Sequence, residues 1–183
     1  MTLIWTFFAL LICGMLELIL GVSGHFVPLL LLGMFYFGAF RHWRFALLAG
    51  MFIGSAVEMS YGRAVPMCLI LMPLLTAASK FWRWMGGTSG MLRQCVPGMF
   101  VGLLGGIAGI VLKNRVTGTY AGAWSLAFAS TAMGFILLPV ICWIFDTVAG
   151  WMALNRYTRL ASGRRDEWLW QQEEYDFDED FID

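Results

Sequence analysis

Three acids stand in the first 150 residues of this 183-residue chain, Glu17, Glu58 and Asp146, each inside or at the edge of a long apolar run. An acid at the centre of a membrane span costs roughly 2.5–3.5 kcal/mol on insertion scales, so such a residue usually faces the interior of a bundle and marks a functional site by default. Counted along their runs, Glu17 lies about 22 Å and Glu58 about 20 Å from the start, which puts both at a similar depth. His25 follows the first run, and Tyr61 and Arg63 follow Glu58. The spacing predicts an outward-facing polar cluster of Glu17, His25, Glu58, Tyr61 and Arg63, in which Arg63 neutralises one acid and His25 bonds to the other. The alternative is that both acids lie close enough to the headgroups to be solvated there. Asp146, near the end of the last run, has Arg44 or Arg156 as a partner, or interfacial water.

None of this amounts to a catalytic constellation. The two histidines are His25 and His42, and the chain has no G-x-S-x-G, no P-loop and no H-E-x-x-H. No catalytic residue, metal-ligand set or cofactor is expected. Cys13, Cys68, Cys95 and Cys142 sit in or beside apolar runs without a C-x-x-C pair, which suits small core residues rather than a disulfide or metal framework.

The elements that must position these residues are membrane spans. Hydrophobic residues make up 60% of the chain and charged residues only 13%, against about 25% charged in soluble domains. Mean hydropathy is +0.73. That leaves too little polar material to coat a soluble core, so the bilayer is the expected medium and no nucleic-acid partner is expected. A span needs roughly 20 mostly apolar residues. Six candidates follow: Thr2–Leu20, Gly24–Phe40, Phe45–Met59, Pro66–Trp82, Cys95–Leu112 and Trp124–Trp151. The first lacks the basic flank and the cleavage site of a signal peptide and reads as a retained span. The third is short and the sixth long enough to tilt.

Basic residues set the orientation. With the N-terminus inside, nine of the twelve fall on inner segments (among them Arg41, Arg44, Lys80, Arg83 and Arg93) and three, Arg63, Lys113 and Arg115, fall outside. The excess of Lys and Arg marks the cytoplasmic side. Trp43, Trp82, Trp84, Trp124 and Trp151 lie near span ends, as interfacial aromatics do. The expected architecture is therefore all-α, a polytopic transmembrane bundle of six spans with both termini in the cytoplasm. It comprises residues 1–151, with a cytoplasmic tail over 152–183.

The glycines specify contacts within that bundle. Gly98, Gly102 and Gly106 recur every four residues, with Gly105 and Gly109 as a second pair. Residues four apart share a helix face, and small-xxx-small faces admit a neighbouring helix closely. The partner is another span of this chain or another protein. Gly50, Gly54 and Glu58 share the same spacing, so a glycine seam leads to the acid and turns it toward protein or water. Gly86-Gly87-Thr88-Ser89-Gly90 reads as a connector, or a hinge between unequal halves. In the tail a basic segment, Asn155–Arg165, precedes Gln172–Asp183, which carries seven acids and no base, interleaved with Tyr175, Phe177 and Phe181. Such composition buries no core and is expected to be disordered. It is a solvated end, or a segment that docks on a basic cytoplasmic partner.

The stretch Val27–Leu75, VPLLLLGMFYFGAFRHWRFALLAGMFIGSAVEMSYGRAVPMCLILMPLL, resembles the MreD family of bacterial rod shape-determining membrane proteins. The resemblance is carried by Gly50-x-x-x-Gly54-x-x-x-Glu58-x-x-x-Gly62, between a short basic turn and a glycine-containing outer turn. Met133-Gly134 and Leu138-Pro139 are similar to the family's last span. The family usually has Asp where this chain has Glu58, and often Leu-Gly where it has Val65-Pro66. The acidic aromatic tail is not part of the pattern. The resemblance implies a non-enzymatic, multi-pass protein of the bacterial inner membrane. Such a protein would act in the elongation machinery, where a bitopic MreC-like partner and cell-wall enzymes connect cell shape to peptidoglycan synthesis. The competing class is the substrate-binding membrane component of an energy-coupling-factor vitamin transporter, also six-span, in which Glu17 and Glu58 would floor a ligand pocket. A membrane-embedded enzyme lacks its motifs here.

Overall fold

A computed structural model describes residues 1–22, 27–40, 42–62, 66–85, 91–117, 123–152 and 154. Among them the chain is all-helical, with α1 Thr2–Val22, α2 Leu29–Gly38, α3 Trp43–Ser60, α4 Cys68–Trp84, α5 Cys95–Thr117 and α6 Ala123–Trp151. A single 3₁₀ turn, Met91–Gln94, leads into α5. By length and composition α1 and α6 are the two helices long and apolar enough to cross a membrane, over Thr2–Gly21 and Trp124–Trp151. The helices only partly follow the expected span boundaries. α3 starts two residues earlier than the apolar run, because Trp43 and Arg44 open its first turn. α2 is much shorter than the run that contains it.

That short helix is the centre of the fold. α2 packs against all five other helices. Every residue from Leu30 to Gly38 is buried, as expected of a helix that is apolar all round. Pro28 sets its start: the Pro28 carbonyl accepts from Leu32 N–H at 3.1 Å, while proline itself has no N–H to place. At about 1.5 Å per residue, ten residues rise only about 15 Å. Both ends of α2 therefore lie within the protein, and their unpaired backbone groups must find partners there.

α1, α3 and α4 surround α2 on one side, and α5 with α6 close the other. α5 and α6 form the most extensive helix pair in the molecule. A Cβ placed on Gly106 would stand 2.9 Å from the α6 backbone at Ala127 Cα, and one on Gly102 would stand 3.0 Å from Thr131 Cα and collide with the Ser130 carbonyl. Gly98 and Gly134 meet backbone to backbone. The seam is fastened by Ser130 Oγ, which donates to the Gly102 carbonyl at 2.8 Å. Gly105, on the neighbouring face of α5, takes the Pro28 ring at the start of α2.

Several polar groups are buried together with the apolar core, and large apolar side chains cover much of the outer surface. Glu17, Glu58, Asp146, Thr76, Ser79, Gln94 and Ser130 are buried. Ile4, Phe8, Ile12, Met15 and Ile19 on α1 form one exposed stripe, as do Leu48, Phe52 and Met59 on α3 and Phe128, Ile136 and Trp143 on α6. Trp84, Trp124 and Trp151, at helix ends, are the most exposed of these large side chains after Met1, at 78–82%.

Candidate functional site: acids that hold the next helix

Glu58 is 3% exposed and lies two residues before the end of α3. Its Oε2 accepts from the backbone N–H of Cys68, the first residue of α4, at 3.0 Å. The seam explains how the carboxyl reaches that amide. A Cβ on Gly54 would stand 2.9 Å from both Cys68 Cβ and Sγ, and one on Gly50 would stand 2.9 Å from Met34 Sδ and 3.4 Å from Met72 Sδ. The two glycines thus let α4 lie against α3, and Glu58, one turn further along the same face, arrives at the N-terminus of α4. The intervening turn closes on Gly62, whose φ of 69° is the left-handed conformation that side-chain-bearing residues rarely adopt. Gly62 N–H donates to the Met59 carbonyl at 2.9 Å.

Glu17 does the same for α2. Its Oε2 accepts from Leu30 N–H at 2.9 Å. In both hairpins the amide that is held lies two residues after a proline, Pro28 or Pro66. Two of the orphan first-turn donors are thereby satisfied by an acid from the preceding helix, at the end where the helix dipole favours an oxygen ligand. Tyr61 connects the two units: its hydroxyl donates to the Glu17 backbone carbonyl at 2.8 Å and covers Gly21. Glu17, Glu58 and Tyr61 thus lie at one end of the bundle, with the two carboxyls directed to different helices. His25 and Arg63, the other members of the expected cluster, lie outside the described residues.

The opposite end of α2 is held by groups that the reading of the sequence did not assign to it. Arg83 Nη1 donates to the Ala39 carbonyl at 2.8 Å, where α2 ends, and Ser79 Oγ donates to the Phe35 carbonyl at 2.6 Å. A guanidinium is favoured against the negative end of a helix. Asp146 is buried, and its Oδ1 accepts from the Tyr36 hydroxyl at 2.7 Å, joining α2 to α6. The rings of Trp5, Phe37, Phe40 and Phe145 pack edge-on or tilted around that contact. Of these groups only Asp146 stood out, as an acid in an apolar run; nothing in the spacing pointed to Tyr36.

The Tyr36–Asp146 contact predicts a stability effect. Tyr36→Phe removes the donor and leaves the ring packing, and is expected to cost about 1–3 kcal/mol, the range for a lost hydrogen bond to a buried acid. Asp146→Asn, which keeps an acceptor toward Tyr36, is expected to cost less. Thermal unfolding of the detergent-solubilised variants measures both.

Chemically, the site does backbone work. Among the described residues no group of three or more metal-ligating side chains converges. Cys13, Cys68 and Cys142 are buried free thiols, and Cys95 is half-buried. No protein-family model, curated protein or solved structure matches the chain.

Proposed function

We propose that the chain is a multi-pass membrane scaffold of the bacterial elongation machinery, related in role to MreD, which crosses the inner membrane six times with both termini in the cytoplasm. In this reading it catalyses nothing. It presents a fixed helical surface to a bitopic MreC-like protein and to the enzymes of peptidoglycan synthesis.

The observation that carries the reading is the joint made by Gly54, Glu58 and Gly62. The residues that carry the family resemblance are the ones that dock α3 on α4, so the pattern has a mechanical purpose, in keeping with a scaffold. The six crossings are supported by the placement of polar and apolar groups. Apolar stripes face outward on α1, α3 and α6, while the described acids face inward. A ten-residue α2 is compatible with a membrane because broken backbone is tolerated at membrane depth where protein surrounds it. Its flanks, Val27 and Ala39, are buried, and its ends are held by Glu17 and Arg83. The orientation is supported by charge: Arg44, Lys80, Arg83 and Arg93 all belong to the end opposite Glu17 and Glu58.

Site-specific photocrosslinking tests the role. Crosslinkers at Phe100 and Leu103, exposed on α5, and at Ser60, at the acid-held end, are expected to capture a single-span protein whose depletion rounds the cells. Capture of an ATPase-linked transport module, or a vitamin-like molecule that co-purifies in stoichiometric amount, would contradict it.

A further inference from the structure

At the end of the bundle away from Glu17 and Glu58, cations from two helices converge on one ring. Lys80 Nζ of α4 lies 3.3 Å from the centroid of the Trp43 ring, and Arg44 Cζ of α3 lies 5.6 Å from it. Arg44 and Lys80 are exposed, and the aromatic pair Phe81–Trp84 flanks them with its centroids 6.0 Å apart. The described acids are all buried, Asp146 at this end against the Tyr36 hydroxyl, so among the described residues the exposed charge at this end is of one sign.

The surface beneath these cations is apolar and continues along the same faces. On α3, Arg44 is followed at intervals of four by Leu48 and Phe52, which are 68% and 75% exposed. On α4, Lys80 is preceded along one face by Ala77, Pro73 and Ile70, all exposed. Residues at these spacings share a helix face, and α3 packs against α4. Two adjacent stripes therefore carry positive charge at one end and apolar surface for about 12 Å below it. The α4 stripe carries small side chains at Ala77 and Pro73, and the α3 stripe bulky ones at Leu48 and Phe52. This is the complement of an amphiphile with an anionic head.

We propose that Arg44 and Lys80, braced on Trp43, seat the phosphodiester of an anionic phospholipid of the cytoplasmic leaflet, whose acyl chain lies along the α3–α4 face. The proposal rests on the membrane-spanning part of the function proposed above and is independent of the role in cell elongation. Two cations held near one indole ring are pre-positioned, so a phosphate gains both contacts without first ordering them. Arg83 stays out of the seat because its guanidinium holds the end of α2. The consequence for the fold is that the α3–α4 unit, which contains the Glu58 joint, would be registered against one leaflet by its bound lipid.

The test is native mass spectrometry of the full chain released from nanodiscs containing equal phosphatidylglycerol and phosphatidylethanolamine. The wild type is expected to retain phosphatidylglycerol preferentially. Arg44→Gln with Lys80→Gln is expected to lower that preference by about fivefold per cation. Arg93→Gln, which removes an exposed cation from the same end, is expected to leave it unchanged, and Arg44→Lys with Lys80→Arg is expected to retain it. Unfolding temperature on the same samples separates loss of lipid from loss of fold. If the wild type shows no preference, or if the double glutamine variant folds and keeps the full preference, the seat does not exist. Alkaline carbonate extraction, run in parallel, separates the two readings. A chain that stays in the membrane without lipid preference overturns the seat alone. A chain that is released overturns the membrane reading with it.

Discussion

Gly102→Leu is expected to destabilise the protein by about 3 kcal/mol, at the upper end of the usual range for overpacked cores. The cost is high because the obstruction is backbone. A Cβ at this position meets the Ser130 carbonyl and comes within 3.0 Å of Thr131 Cα, and no rotamer relieves either contact. The same substitution displaces Ser130 Oγ from the Gly102 carbonyl. Gly102→Ala should show a smaller effect in the same direction. A cysteine pair across α5 and α6 near Gly106 and Ala127, crosslinked in the membrane, reads the separation directly. It should form readily in the wild-type background and poorly with Gly102→Leu. Gly50→Ala offers a contrast. The neighbour there is the flexible thioether of Met34, with that of Met72 behind it, so the effect should be less than half as large.

Glu58 is expected to give the second large effect. Glu58→Leu keeps most of the volume but leaves the Cys68 N–H without its acceptor inside the protein, a loss of about 1–3 kcal/mol. Glu58→Ala adds a cavity and should cost more. Glu58→Gln keeps an oxygen that can accept from Cys68 N–H and is expected to recover most of the stability lost in Glu58→Leu. Hydrogen exchange at the first turn of α4 distinguishes this from a general loosening. Protection should fall there in Glu58→Leu and remain in α5 and α6. Because Glu17 holds α2, which touches every other helix, the corresponding Glu17→Leu variant should lower protection throughout the bundle.

The difference between these two acids bears on what could be read from the chain alone. Spacing by four placed Gly50, Gly54 and Glu58 on one face, and the structure shows what that face meets: Met34, Met72 and Cys68. Such a pattern is local, so it is visible in one helix. The α5 glycines were visible in the same way, but their partner was not. Gly134 and Ser130 lie about 30 residues away in an apolar run; Met133-Gly134 stood out for its likeness to a family's last span, but nothing in either residue's spacing marks it as the partner of α5. Tyr36 and Asp146 are separated by 110 residues, and nothing local to either predicts the other. The brevity of α2 was hidden for a different reason. Apolar residues continue on both sides of it, and hydropathy does not register that Pro28 delays the helix or that Arg83 reaches across from α4 to end it. The cationic end was legible as a count of arginines and lysines. The convergence of Lys80 and Arg44 on Trp43 required the α3–α4 packing to be known.

One mechanical principle runs through these contacts. Polar side chains of this chain are directed at the ends of neighbouring helices: Glu17 at the start of α2, Glu58 at the start of α4, Arg83 at the end of α2. Helix ends carry unpaired backbone groups, and where they are buried they need partners within the protein. The arrangement ties consecutive helices together, since each acid holds a first-turn amide of the helix that follows it in the chain.

The central claim is that these helices cross a membrane with the acid-held end outside and the cationic end inside. Cysteine labelling in intact cells tests it most directly, since the native thiols are buried or half-buried. Single cysteines would be introduced at Ser60, near the acid-held end, and at Met85 and Met152, near the cationic end, and exposed to a membrane-impermeant maleimide. The account predicts that Ser60→Cys is labelled in intact cells, and that Met85→Cys and Met152→Cys are labelled only after the cells are opened. Labelling of Met85→Cys in intact cells, with Ser60→Cys protected until lysis, would contradict it.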